Sequence, residues 1–348
     1  MIYDFKNIER VYFIGDVHGC FPQFRNTVYS VHMADERHRK IKTNEPTLWI
    51  VCGDIGLGFN KDEYYAQIFN EFNEQCAKRN ISIILVRGNH DDPSYFNDEK
   101  INYSNIKAVS DYSVLQTRVL TILCVGGGLS IDRSWRKSEE IKRNKYSKSK
   151  RYKYYWEDEM PIFSKEKLDD LKEQGIIVNA IASHTAPSFC YPLAKDASFS
   201  WFRVDNKLRD DLKIERETMD SIFNWFKENE QPIMFWGYGH FHTSNLALIE
   251  DCAYLALCEC ECRNVNEYLD MSMMANKERL SNKPKLVMPF DEWDVAPLDG
   301  TEDGVELPMD DPRIDEHLIR PVYNIREEDA QRIRGVIDEL LNNANQPF

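Results

Sequence analysis

Residues 11–21 read Val-Tyr-Phe-Ile-Gly-Asp-Val-His-Gly-Cys-Phe, an apolar run that passes through glycine into a carboxylate and an imidazole. Short β-branched or aromatic runs of this kind are read as buried strands. The pattern then recurs along the chain. Leu48–Cys52 leads through Gly53 to Asp54, and Ile81–Val86 leads through Gly88 to Asn89, His90 and Asp91. Ile176–Ala182 ends at Ser183 and His184, and Pro232–Trp236 leads through Gly239 to His240 and His242. Between these runs, Gln23–Val31, Asp62–Lys78, Lys165–Glu173 and Glu217–Glu228 read as helices; in the second, Tyr65, Ile68, Phe69, Phe72 and Cys76 recur at helical spacing. Val119–Val125 adds a strand, and Leu246–Ile249 with Ala253–Leu257 reads as an antiparallel edge. Strand and helix alternating in this way predicts an α/β architecture with helices covering sheet.

In open α/β sheets, sites form beyond the carboxyl ends of the strands, so these strand-end residues are expected in one crevice. Five of the chain's eight histidines, His18, His90, His184, His240 and His242, fall there, which random placement does not produce. Asp16 and His18 are two apart, so on extended backbone they share a face and can share an ion. Asp54 has two oxygens and can bridge. Asn89 offers an amide oxygen, and His184, His240 and His242 offer ring nitrogens. A mixed oxygen and nitrogen set without thiolate points to two divalent cations, Mn first, with Fe, Ni and Zn as alternatives and Ca disfavoured.

Gly-Asp-Val-His-Gly (15–19), Gly-Asp (53–54), Gly-Asn-His-Asp (88–91), Ser-His (183–184) and Gly-His-Phe-His (239–242) resemble, in order, the five motifs of the calcineurin-like metallophosphoesterases. The resemblance spans about residues 10–260. It implies a four-layer α-β-β-α sandwich with two central mixed sheets, and a hydrolase whose metal-bridging hydroxide attacks phosphate esters. By motif position it implies one metal on Asp16, His18, Asp54 and His242, and the other on Asp54, Asn89, His184 and His240. His90 is left over from the ligands; the resemblance implies that it donates a proton to the leaving oxygen or stabilises charge there. Asp91 is the candidate to orient His90, although neighbours on extended backbone point apart. The first and third motifs resemble the Ser/Thr phosphatase branch, but Ile55-Gly56-Leu57-Gly58 stands where that branch continues Asp-Arg-Gly. That branch's phosphate-binding arginine is therefore missing.

Gly126–Gly128 followed by Leu-Ser-Ile-Asp-Arg-Ser-Trp-Arg resembles a segment that follows the third motif in small bacterial and phage members. Arg133 and Arg136 are the candidates to grip substrate phosphate, since guanidinium forks match phosphate oxygens; their competing role is in structural ion pairs. Arg87 reads as structural. A basic aromatic insert covers about 133–156, with Tyr146, Tyr152, Tyr154, Tyr155 and Trp156 among its cations. It reads first as a solvated loop or helical hairpin overhanging the crevice. As a nucleic-acid or nucleotide surface it would support a second function, a phosphodiesterase or nuclease. Cys258, Cys260 and Cys262 alternate with glutamates, as in a strand with one buried face, and their spacing is too short for zinc ligands.

The 348 residues carry a net charge of -14, with 42% hydrophobic residues, enough to bury a sizeable core. Between Leu286 and His317, 11 acids face the single base Arg313, so most of the negative charge sits outside the motifs. Extended polyanions would have to avoid that stretch, which favours small phosphate esters. The expected domains are 1–262, the phosphoesterase body, and 263–348, an acidic, Pro-containing arm with a helix over Arg326–Asn342. That arm and helix are the candidate surface for a protein partner or self-association, and a third function is a catalytically silent metal-binding module working through them. No apolar run reaches the roughly 18 residues of a membrane span, no leader is expected before Val11, and the odd number of cysteines in apolar stretches suggests reduced thiols in the cytoplasm. The reading favoured is a phosphomonoesterase acting on small esters or phosphoprotein.

Overall fold

The computed structural model describes residues 1–269, except 39, 43, 148–151, 193–198, 250 and 251. The chain divides into Met1–Glu292 and Trp293–Phe348; the second unit, with the expected helix over Arg326–Asn342, lies outside the described residues. In chain order the strands are β1 (Ile2–Phe5), β2 (Arg10–Ile14), β3 (Thr47–Val51), β4 (Ile81–Leu85), β5 (Ile106–Ala108), β6 (Val114–Thr117), β7 (Thr121–Val125), β8 (Ala180–Ser183), β9 (Phe235–Tyr238), β10 (Asn245–Ile249), β11 (Cys252–Ala256) and β12 (Cys262–Asn264). The helices are α1 (Phe21–Arg37), α2 (Asp62–Ala77), α3 (Ser94–Asn97), α4 (Arg133–Tyr146), α5 (Lys165–Glu173), α6 (Phe199–Phe202) and α7 (Leu208–Glu228).

Two mixed sheets result. One is ordered β1-β6-β7-β8-β9-β11-β10, the other β12-β2-β3-β4-β5. Successive side chains on a strand point to opposite faces, and here both faces are apolar. Val11 and Phe13 of β2, Leu48 and Ile50 of β3 and Ile84 of β4 meet Ile122, Cys124, Ala180, Ala182, Phe235 and Leu255 of the other sheet. The alternate residues Tyr12, Ile14, Trp49, Val51, Ile83 and Leu85 pack against Phe24, Val28, Phe69 and Phe72 of α1 and α2. On the far face of the larger sheet, Leu123, Ile181, Trp236 and Tyr254 meet Leu168 of α5 and Met219, Ile222 and Phe226 of α7. Three apolar interfaces separate four layers, the α-β-β-α sandwich. A core this apolar is worth about 1.5–3 kcal/mol for each large side chain buried.

The alternation seen in the sequence thus belongs to strands buried on both faces, which is why they read as continuous apolar runs. Their ends shift by a few residues. Thr117 closes a hairpin by accepting from Leu120 N at 2.8 Å, so β7 begins at Thr121 rather than Val119. Ile176–Asn179 precedes the ladder, which starts at the Ala180↔Ile122 pair. β10 is an antiparallel edge on β11. The chain stays in the sheet past Cys262: β12 pairs antiparallel with β2, and Val265 and Tyr268 join the core between the sheets. Glu259 and Cys260 form a turn, with Cys260 at φ 52°, so strand alternation does not extend over Cys258–Cys262. No described helix is long and apolar enough to cross a membrane.

Candidate metal centre

Parallel pairing aligns the carboxyl ends of β2, β3 and β4 in one sheet and of β8, β9 and β11 in the other. The loops leaving these ends bring Asp16, His18, Asp54, Asn89, His90, His184, His240 and His242 together. Four of them, His18 (φ 48°), Asp54 (φ 49°), His240 (φ 68°) and His242 (φ 48°), have left-handed backbone. Such conformations cost a non-glycine residue on the order of 1–3 kcal/mol and persist where surrounding contacts hold them. Those contacts are visible: His240 N donates to both Asp16 oxygens at 3.0 Å, and His90 N donates to Asp54 Oδ1 at 2.7 Å.

The donor atoms fall into two groups. In the first, His18 Nε2 and His242 Nε2 are 2.9 Å apart, with Asp16 Oδ2 at 3.1 Å from His242 Nε2 and Asp54 Oδ2 at 3.8 Å from His18 Nε2. In the second, His184 Nε2 lies 2.8 Å from Asn89 Oδ1, 3.2 Å from Asp54 Oδ1 and 3.2 Å from His240 Nδ1. Asp54 therefore shows one oxygen to each group. His184 Nδ1 meets Cys52 O at 2.7 Å, which fixes the ring with Nε2 inward. Burial favours the neutral His184 ring, yet the Asp54 and Asp16 carboxylates lift its pKa to about 10. The same three rings His184, His90 and His18 hold Asp54 well below the usual carboxylate range despite its burial. A field that binds a proton this firmly also favours a metal cation, and the oxygen and nitrogen donors fit one. Space is tight: a Cβ on Gly128 would press on His184, Asn89 and His240 together.

Several outer residues were not read from the sequence. Glu259 Oε1 lies 3.2 Å from His242 Nδ1, and Glu215 Oε1 lies 3.7 Å from His240 Nε2. Carboxylates behind a ligating imidazole orient the ring and raise its basicity. Asn89 Nδ2 donates to Ser130 Oγ at 2.9 Å, and Ser130 Oγ donates to Glu159 Oε2 at 2.6 Å, which leaves the Asn89 oxygen turned toward His184. Glu259 follows β11, so the strand-end rule itself would have found it. Glu215 shows only as an acid on the apolar face of α7, and Glu159 carries no local signal.

The remaining candidates separate. Arg136 is buried beside His90, with Nη2 at 2.5 Å from His90 Nε2 and Nε donating to Asp132 at 2.6 Å. Arg133 instead pairs with Asp205 and Asp211, each at 2.6 Å. Asp91 does not turn to His90: its carboxylate accepts from the backbone of Ile55, Gly56, Leu57 and Gly88 at 2.7–3.1 Å, tying the loops after β3 and β4. Arg87 binds the carbonyls of Asp158, Glu159 and Met160 and Asp111, a structural position. In the insert, Tyr152 and Tyr154 stack on each other, Arg143 lies over both, and Lys137 covers Tyr155. The rings of Tyr152, Tyr154 and Tyr155 are thus engaged by the insert's own cations, which weakens the case for a nucleic-acid platform.

The family model for calcineurin-like phosphoesterase matches residues 9–246. No curated protein matches the chain. Among solved structures, a cold-active protein tyrosine phosphatase is similar at 13% identity, over 75% of each chain, with a TM-score of 0.30. A point mutant of that protein gives 12% identity over 76% of this chain and 77% of its own, with a TM-score of 0.31. A likeness of that size defines neither fold nor substrate.

Proposed function

Because the chain belongs to the calcineurin-like phosphoesterase family, we propose that it hydrolyses small phosphate monoesters at a two-cation centre built from its strand-end residues. That it is a metal-dependent hydrolase of phosphate esters follows from the family. The two-cation reading is carried by Asp54, whose Oδ1 lies 3.2 Å from His184 Nε2 and whose Oδ2 lies 3.8 Å from His18 Nε2. Asp16, His18, Asp54 and His242 would hold one cation, and Asp54, Asn89, His184 and His240 the other. Manganese heads the candidates, followed by Fe, Ni and Zn, on the oxygen and nitrogen donor set. When bound, two divalent cations lower the pKa of water and offset charge on phosphoryl oxygens.

The chain's own residues supply the rest. Arg136 provides a fixed positive charge beside His90, where ester oxygens arrive. It can only donate hydrogen bonds, so it meets His90 at a ring nitrogen that accepts. His90 is thereby the group to hydrogen-bond the leaving oxygen. Glu215 and Glu259 orient the rings of His240 and His242. The test is hydrolysis of p-nitrophenyl phosphate with added Mn. The expected result is turnover that Asp54→Asn reduces at least a thousandfold, with metal stoichiometry falling below two, and slower hydrolysis of the bis-ester. Absence of turnover by the wild-type chain with Mn, Fe, Ni and Zn alike would overturn the reading.

A further inference from the structure

An open cleft of about 310 Å³ shares His18, His90 and Arg136 with the site just described and is otherwise lined by the rings of Phe21, Phe59 and Tyr64. Phe21 and Tyr64 meet edge to face at 6.4 Å, and Phe59 is braced edge to face against Trp156 at 5.0 Å. The loops after β2, β3 and β4 and the first turns of α1, α2 and α4 contribute these side chains. Backbone from Gly19 and Gly56 also lines the cleft. Gly19 N donates to Ile55 O at 2.9 Å, so the two loops touch through backbone, and a Cβ on Gly19 would meet nothing within 4 Å. Among the described residues, no side chain fills the space between the histidines and the rings.

We propose that this cleft receives the leaving group of the phosphate ester and selects one that carries a planar aromatic ring, such as a nucleoside base; the proposal rests on the phosphoesterase reading above. Four features argue for it. First, His18 belongs to the donor set and His90 to the leaving-group side, so an ester whose phosphate sits at the donors extends its alcohol into this cleft. Second, the volume stands at the lower end of ligand pockets and holds a ring-bearing alcohol. Third, aromatic rings attract a planar guest by offset-stacked or edge-to-face contact, and this preference is largely indifferent to the ring's identity. Fourth, Arg136 is the lone cation of the lining and no carboxylate lines it among the described residues, so the cleft complements an anionic phosphate with a neutral alcohol. Asn60, also in the lining, adds an amide donor and acceptor for the edge of a base. The run Gly56–Asn60 that supplies these groups is the one that lacks the phosphatase-type arginine.

The experiment compares a nucleoside 5′-monophosphate with glycerol 3-phosphate on the full chain loaded with Mn. Both are esters of primary alcohols, so intrinsic leaving ability is matched and the ratio of kcat/KM reports the ring. The ratio should be at least about tenfold in the wild type, the scale of one stacked ring, and should fall at least threefold in Tyr64→Ala, a residue that is 45% exposed, with its thermal unfolding checked. Phe59→Leu should act likewise, with its thermal unfolding checked. Tyr146→Ala, on α4 and 77% exposed, should leave the ratio unchanged. Binding of the nucleoside alone, followed by titration calorimetry, should weaken with the same two cleft variants. Equal kcat/KM for both esters, or a ratio that neither Tyr64→Ala nor Phe59→Leu moves, would overturn the cleft assignment while leaving the phosphoesterase reading intact. Hydrolysis of neither ester would remove the leaving-group assignment; the phosphoesterase reading falls with it only where p-nitrophenyl phosphate is not turned over either.

Discussion

Arg136 and His90 form a donor–acceptor pair, with Nη2 at 2.5 Å from Nε2. Burial holds His90 well below the usual histidine range; Asp54 acts to raise it, and Arg136 adds to the lowering. Arg136→Met should therefore shift the His90 titration to higher pH, read from its ring ¹⁵N resonances, and lower kcat/KM on phosphate monoesters at least about tenfold. A His90 titration that does not move would show that the guanidinium is packing against the ring without acting on its charge.

Glu215 is fully buried on α7, with one oxygen accepting from Leu129 N at 2.7 Å and lying 3.7 Å from His240 Nε2. Glu215→Gln keeps the shape and removes the negative charge behind the imidazole. Divalent-metal affinity should fall about 10–100-fold, measured by calorimetric titration, with the far-UV circular dichroism unchanged. Unaltered affinity would leave Glu215 as a tie for the Gly126–Leu129 loop alone.

Glu159 offers a pH signature. Burial raises its pKa to about 8, although Ser130 donates to it from both N and Oγ. The folded chain thus holds a proton that the unfolded chain releases near pH 4.5, so stability from this group is complete below about 4.5 and is lost as pH rises to about 8. The expected slope is a loss of up to about 1.4 kcal/mol per pH unit in that window. Glu159→Gln should flatten it, seen as a smaller fall in Tm between pH 5 and 8 than in the wild type. Parallel Tm curves would count against a protonated Glu159.

Asp91 accepts four backbone N–H groups and, mainly through burial and then Asp54, has its pKa raised to about 6. Asp91→Asn exchanges an acceptor oxygen for a donor facing N–H groups. Loss of hydrogen bonds to a charged group, about 1.5–3 kcal/mol each before compensation, should lower stability by about 2–4 kcal/mol in urea unfolding. An unchanged unfolding midpoint would mean that the loops after β3 and β4 hold without it.

What the sequence determined by itself was the central strands of both sheets, the two-face burial of their side chains and the residues at their carboxyl ends. These are local properties: Val11–Ile14 reads as a buried strand from its own composition, and Asp16 and His18 follow it wherever it lies. The helices over Asp62–Ala77 and Lys165–Glu173 were legible for the same reason, through spacing within a few turns. Short strands such as β1, β5 and β12 were not, because three or four residues carry too little periodic signal and exist as strands only through their partners.

Only the tertiary structure decided how the strand-end residues divide. Asp54 faces both donor groups because the loops after β2, β4 and β8 close around it, and His240 N reaches Asp16 across 224 positions of sequence. Arg133 and Arg136 are equivalent as sequence, yet one meets Asp205 and Asp211 while the other meets His90. Asp91 looked like a neighbour for His90 and instead collects the backbone of Ile55–Leu57. Glu215, Glu259 and Glu159 acquire their roles from contacts with residues distant in the chain or across a turn. Each of these outcomes depends on which buried polar group finds a partner once the two sheets close, and buried charge must find one. That pairing is a property of the packed fold, whereas the residue types able to hold a cation were already written at the ends of the strands.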